Sequence, residues 1–377
     1  MTFALLKKLS LPALCMACLF LSACNLGYDL GDSDTDGDTD SSAAFHGPSE
    51  NAAWELELGD TDSFELTKRA SPSELSEYSL LGTYSDLGSG YKELTITSNL
   101  PADITSNTLV ALEMDDEAII LFPFEAGSSD LIALIPLSDD ISEQCPSNDV
   151  TGNWLRFDST EDTSSESNAF IGEIRYSVNS DTIRLITGFA LDDEFSGQTN
   201  EISLADANCE NGLSELDSGN QYFSENTLVA EEDGADTYGR IFSLPTLTVS
   251  SLSAFDGDYV GYMFKLSEVA DTSFASANCT SGNCDITLKN DHTDTSSSTE
   301  TYTLEFDEDS LNPSSVGLVQ GTIASVSNTS NTGNLLCTIN TDLTPSNTGT
   351  TKVIACAAQA PDENTSIISF FFVATSS

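Results

Sequence analysis

The chain reads as a mainly β protein: antiparallel β domains, barrel or sandwich, stapled by disulfides and set behind a disordered acidic tether. Three observations predict this. From Ala52 onward, short apolar runs containing Val, Ile, Thr, Tyr and Phe alternate with clusters of Gly, Asn, Asp, Ser and Pro, the punctuation of strands and turns. Helical periodicity is nearly absent; Ser71 followed by Pro72–Tyr78 is predicted to open a turn or two of helix, and little else does. The cysteines that follow residue 24, namely Cys145, Cys209, Cys279, Cys284, Cys337 and Cys356, are even in number, as a disulfide framework requires.

The N-terminal element, residues 1–23, is a secretory leader. Lys7 and Lys8 precede an apolar run from Leu9 to Leu21, and Ser22 and Ala23 supply the small residues of a cleavage site. The run is too short to remain as a membrane span. Leu21-Ser22-Ala23-Cys24 matches at all four positions the pattern that it resembles, the lipobox of bacterial lipoproteins. That resemblance implies cleavage between Ala23 and Cys24, a diacylglycerol thioether on the Cys24 sulfur and, in many such bacteria, a further acyl chain such as palmitate on the new amine. Each buried methylene contributes about 0.8 kcal/mol and a single chain holds only marginally, so two or three chains give stable anchoring to a membrane. Asn25, where an Asp is often the retention signal of the family, points to the outer membrane. The competing reading is a plain signal peptide in which Cys24 is incidental; Cys15 and Cys18 fall in the discarded leader.

Residues 24–50 form the next segment. Asp32, Asp34, Asp36, Asp38 and Asp40 alternate with Gly, Ser and Thr, and no apolar period exists to bury. Such a segment repels itself and extends. Asp32-x-Asp34-x-Asp36-Gly37 reproduces the start of an EF-hand-type loop, which makes Asp32, Asp34 and Asp36 the calcium candidates. The twelfth position is Ala43 rather than a bidentate acid, so the segment reads first as a solvated tether.

Loss of the leader removes Lys7 and Lys8, leaving 10 of the 12 basic residues against all 61 acidic ones, a formal charge of −51. Nucleic acid is excluded as a partner, because binding a polyanion needs a basic patch. Self-repulsion of this size opposes compaction. The acidity reads as a surface suited to salt, which shortens the Debye length; the rival is a surface that collects divalent cations loosely.

Residues 51–250 are a β-rich region of one or two subdomains. Predicted strands are Tyr91–Thr97, Thr108–Glu113, Ala118–Phe122, Asp130–Pro136, Trp154–Phe157, Phe170–Val178, Thr182–Phe189 and Tyr238–Leu244. A boundary falls near Ser250–Ser253. Residues 255–377 form a C-terminal antiparallel domain of seven predicted strands: Gly257–Leu266, Asp285–Lys289, Thr301–Phe306, Val316–Val326, Leu335–Asn340, Lys352–Ala357 and Ser366–Ala374. Gly257-Asp258-Tyr259 opening an up-and-down meander resembles the lipocalin-like or avidin-like barrels. Gly152-Asn153-Trp154 echoes it, and a β-sandwich stays the alternative.

Proximity pairs Cys145 with Cys209, Cys279 with Cys284, and Cys337 with Cys356. The last two flank a loop rich in Thr, Pro, Asn and Gly that sets them opposite each other in a hairpin. Zinc is disfavoured, since the mature chain has no CxxC and only His46 and His292. His46 falls in the tether and His292 in the polar loop Lys289–Asp294, so both read as solvated. No nucleophile elbow, HExxH or P-loop motif occurs. Asp192-Asp193-Glu194, between Phe189 and Phe195, is the densest acidic cluster near an aromatic and reads as a turn. The function expected is that of an exported, membrane-anchored lipoprotein of the cell envelope, a binding or structural module without a cofactor. Its partner is an apolar small ligand or a protein. The alternative is a glycosidase-like hydrolase working through two carboxylates.

Overall fold

Alternation of period two sends Trp54, Leu56 and Leu58, then Phe64 and Leu66, to one face of successive strands, while Glu55, Glu57 and Glu65 take the other. A chain patterned this way buries one face by curling its sheet until it closes. A computed structural model describes residues 43–49, 52–87, 90–114, 118–125, 131–137, 145–146, 149–156, 171–177, 182–189, 197–198, 202–206, 209, 212–216, 219–224, 227–232, 239–245, 249–266, 271–293, 300–311, 317–340, 352–361 and 367–375. It is mainly β, with two closed barrels flanking an open sheet in the chain.

The first barrel is an antiparallel meander of β1 (Ala43–Ser49), β2 (Ala52–Gly59), β3 (Ser63–Arg69), β4 (Ser76–Asp86), β5 (Tyr91–Ile96), β6 (Thr108–Met114), β7 (Ala118–Leu121) and β8 (Ile132–Leu137), and β8 returns to pair with β1. The middle sheet comprises β9 (Val150–Arg156), β10 (Ile171–Ser177), β11 (Thr182–Phe189), β12 (Gly197–Gln198), β13 (Ile202–Asp206), β14 (Leu213–Leu216), β15 (Gly219–Phe223), β16 (Leu228–Glu232) and β17 (Gly239–Pro245). Its order is β12-β11-β10-β9-β17-β16-β15-β14, with β13 beside β11. After a 3-10 turn at Leu252–Phe255, the second barrel runs through β18 (Gly257–Leu266), β19 (Asp271–Thr280), β20 (Asn283–Lys289), β21 (Glu300–Phe306), β22 (Leu318–Ser325), β23 (Asn328–Asn340), β24 (Val353–Gln359) and β25 (Ile367–Ala374).

All three sheets repeat one plan. The last strand returns to the first: β8 to β1, β17 to β9 and β25 to β18. At each return a glycine of the first strand lies where an added Cβ would strike a carbonyl of the last: Gly47 against Ala133, Gly152 against Leu244, and Gly261 against Phe371. Close backbone approach of this kind is what a strand glycine permits. The true counterpart of Gly152 is therefore Gly261, not Gly257. Among the described residues no ladder joins β13 to β14, the point at which the middle sheet would close.

Each barrel has its own interior. Trp54, Leu56, Leu66, Leu80, Leu94, Ile119, Leu121 and Leu134 fill the first, and Tyr259, Ile286, Leu304, Ile323, Leu335, Phe370 and Phe372 the second. Eight strands leave a hollow just wide enough for such side chains. A third apolar cluster lies outside both and joins the sheets, drawing Leu112, Ile120 and Ile135, then Leu155, Tyr222 and Phe242, then Tyr262, Phe274 and Phe371. This explains why β7, β8, β24 and β25 are apolar almost without interruption, for they are buried on both faces.

The cysteines pair as Cys145–Cys209, Cys279–Cys284 and Cys337–Cys356. Cys337 and Cys356 are directly opposite in the β23–β24 ladder, and Cys279 and Cys284 in the β19–β20 ladder. Three expectations are corrected. Residues 43–49, read as the end of the tether, form β1, whose Phe45 plugs into the first interior. Ser71 opens only a turn, closed by Glu74 N–H to Ser71 O, before β4 begins at Ser76. The C-terminal part has eight strands rather than seven; β19 escaped notice because its inward residues, Ala275, Ala277 and Cys279, are small.

Candidate functional site

Three places gather polar chemistry. The first is the end of the first barrel's interior, where Lys68 stands on the inward face of β3 between its cross-strand neighbours Trp54 and Tyr78. Its ammonium lies 5.5 Å and 5.7 Å from those ring centroids, 3.0 Å from Asp103 Oδ2 and 2.6 Å from Glu125 Oε1. Tyr78 Oη donates to the same Asp103 oxygen at 2.8 Å. Burial works against the charge on Lys68, but the hydrogen bonds with Glu125 and Asp103 outweigh it and raise its pKa. Asp103 is in turn held below the usual carboxylate range: burial opposes this, and the bonds from Lys68 and Tyr78 prevail. The cage is thus occupied by the chain's own cation, and it seals the barrel end.

The second place is an open groove of about 340 Å³ on the outer face of the same barrel, lined by Glu57, Ser63, Phe64, Glu65 and Gly82 among others. Glu57 and Glu65 are directly opposed in the β2–β3 register. Partial burial first, and then the charges of Glu55 and Glu65, push the Glu57 carboxyl up. Like charges so placed repel.

The third place is the junction of the three sheets. Tyr91 Oη donates to Gly261 O at 2.6 Å, and Tyr262 Oη lies 3.4 Å and 3.3 Å from the carbonyls of Val110 and Ile120, so the two barrels exchange hydroxyl-to-backbone bonds. Phe122 stacks on Phe274 at 4.2 Å. The second barrel reaches the middle sheet through Asn153 Nδ2 to Thr338 Oγ1 at 2.8 Å and Asn340 Nδ2 to the Pro245 carbonyl at 3.1 Å. A cavity of about 20 Å³ remains where Ile120, Leu131 and Ala133 meet Leu155, Phe242 and Phe264.

Both histidines belong to this junction, which corrects the reading of them as solvated. His46, on β1, is buried edge-on to Tyr222 at 5.0 Å. It is hydrogen-bonded to the backbone of Phe223, and its Nε2 has no hydrogen-bond partner. Burial lowers its pKa to about 4, the bond to Phe223 offsetting only part of the shift. His292 packs against Tyr91 and Phe274, with Glu93 Oε2 3.8 Å from its Nε2 and Asp291 Oδ1 3.4 Å from its Nδ1.

Cys24, the calcium candidates Asp32, Asp34 and Asp36, and the cluster Asp192-Asp193-Glu194 lie outside the described residues. Among the described residues, no group of three or more His, Cys, Asp or Glu is placed to hold a metal ion, and no helix is long and apolar enough to cross a membrane. Sequence reasoning missed Lys68, Glu57, Glu65, Tyr91 and Tyr262. The apolar runs of β7, β8, β24 and β25 were the available sign of the junction.

No family model matches the chain. No curated protein matches it either. Among solved structures, the DNA polymerase III beta chain of Streptococcus pneumoniae aligns at 10% identity over 89% of this chain and 90% of that one. Its TM-score is 0.13, and a likeness at that level carries no argument.

Proposed function

We propose that this chain is an exported lipoprotein of the bacterial envelope, held to a membrane, in an outer-membrane-bearing cell the outer one, by lipid on Cys24. In this reading it works as a structural or protein-binding module rather than an enzyme. The observation that carries the anchor is Leu21-Ser22-Ala23-Cys24 behind Lys7, Lys8 and an apolar run. What supports a structural role is that, among the described residues, both barrel interiors are packed with apolar side chains, with Lys68 at one end of the first. The surface acids suit a body displayed in salt. The deciding experiment is mass spectrometry of the N-terminal peptide from membrane fractions of cells expressing the wild type and Cys24→Ser. Acyl mass on Cys24, and an unprocessed or soluble Cys24→Ser protein, are expected; an N-terminus elsewhere, or one without acyl mass, removes the reading.

The second reading, a carboxylate hydrolase of the glycosidase kind, draws on Glu57 and Glu65. Their opposed register puts them side by side on one face of one sheet, whereas such enzymes place their acids on either side of the scissile bond. Release of reducing ends from envelope glycans that disappears in Glu57→Gln and Glu65→Gln would reverse the preference.

A further inference from the structure

We propose that His46 is an acid-operated latch between the first barrel and the middle sheet: a proton on its ring puts an unmatched charge into the junction, and β1 releases β15. The ring is 9% exposed and sits edge-on to Tyr222, its Nε2 without a hydrogen-bond partner. A neutral imidazole leaves Nε2 as an unused acceptor; protonation turns it into a charged donor with no acceptor within hydrogen-bond reach. Burying a charge without a partner is the costliest event available to such a contact.

Among the described residues, no group lies within hydrogen-bond reach of Nε2. Across β2 its register partner is Glu55, whose carboxylate is held by Arg69 at 3.2 Å. On β8, the described stretch from Ile132 to Leu137 contains no ionisable residue. From β15 come the Tyr222 ring and the Phe223 backbone. On β16 the described side chains, Leu228 and Val229, are not ionisable. His292 has different surroundings, with Glu93 Oε2 3.8 Å from its Nε2 and Asp291 Oδ1 3.4 Å from its Nδ1. Acid therefore loosens the junction at His46.

The sign is set by the depressed value. A ring held at about 4 when closed, against its ordinary 6.5 when open, makes the open form bind the proton more tightly. Closure is then fully favoured above about pH 6.5 and is lost as pH falls toward 4. Below that, the opening constant is larger by about 300-fold.

The test is hydrogen exchange by mass spectrometry on the full chain at pH 7 and pH 4.5, corrected for intrinsic rates. Peptides covering β1, β15 and β16 should exchange at least about tenfold faster at the lower pH, while those covering β5 and β18 should not. His46→Phe should remove the difference. An equal acid response in His46→Phe, or none in the wild type, overturns the proposal. Should His46→Phe not fold, the His46 ring is followed by NMR in His292→Gln, where it is the only histidine. A midpoint near 4 that tracks the exchange supports the latch; a midpoint near 6.5 overturns it.

Discussion

The two closed barrels share a strand plan and differ in what locks it. In the first, the inward face carries Trp54, Leu56, Leu58, Phe64 and Leu66, and its end is sealed by the Lys68 cage. In the second, β19 turns Ala275, Ala277 and Cys279 inward and β24 turns Cys356 and Ala358 inward, and two disulfides bridge these strands to β20 and β23. No cysteine occurs between residues 43 and 137. Each methylene not buried forgoes about 0.8 kcal/mol, and the covalent links fall on the strands whose inward residues are smallest. A barrel wall can thus be held by bulk across the interior or by bonds along it.

Breaking the covalent side of this comparison should give the largest effect. Cys337 and Cys356 are 19 residues apart, and a loop of that size contributes about 3 kcal/mol in the chain-entropy view. The Cys337→Ala, Cys356→Ala double variant should unfold earlier by that amount. The loss should be greatest at low salt, where a chain of formal charge −49 repels itself over a longer Debye length. Thermal unfolding at low and at high salt reads both; equal losses mean that charge and bridge act independently.

The first barrel should answer to its cage instead. Lys68→Met keeps length and leaves Asp103 and Glu125 facing each other's charge. Removing one partner of a buried pair costs about 3–5 kcal/mol, but Asp103 is 41% exposed and water screens it, so a loss of about 2 kcal/mol is expected. Denaturant unfolding measures it. A second substitution, Glu125→Gln, should recover part of the loss, and no recovery would mean that Lys68 acts through its stem on Trp54 rather than through its charge.

How much of this was legible follows from which contacts are local. The strands from Tyr91 to Leu137, the strands of the second barrel other than β19 and all three disulfide pairings lie within reach of spacing and punctuation. β1 was hidden, because Phe45 is the one large apolar residue in a stretch that follows an Asp-rich repeat. The junction was hidden more deeply. Tyr91 and Gly261 are 170 residues apart, and nothing near either one signals a hydroxyl seeking a carbonyl on another sheet. His46 looked solvated for the same reason: its burial is made by Tyr222 and Phe223, which no period in its own segment announces.

The smallest effect should come from the place where neither barrel's solution reaches. The cavity at the junction, about 20 Å³, is bounded by Ile120, Leu131, Ala133, Leu155 and Phe242, and the polar groups at its margin are already engaged, Ser369 Oγ with Arg156 O and Tyr262 Oη with Val110 O and Ile120 O. A void of this size holds about one water, yet a lining with no free polar group among the described residues keeps water out. Ala133 belongs to the shared cluster rather than to the first barrel's interior, so Ala133→Val adds its methyls to the void and introduces the β-branched shape that strands favour. Two methyl groups gain at most about 1.6 kcal/mol on burial, and crowding takes part of it. A net stabilisation of about 0.5–1 kcal/mol is expected, read as a higher denaturant midpoint at unchanged slope. A loss of more than about 1 kcal/mol would show that the three sheets meet too tightly to admit the side chain, and that the junction, like the barrels, is already closed by packing.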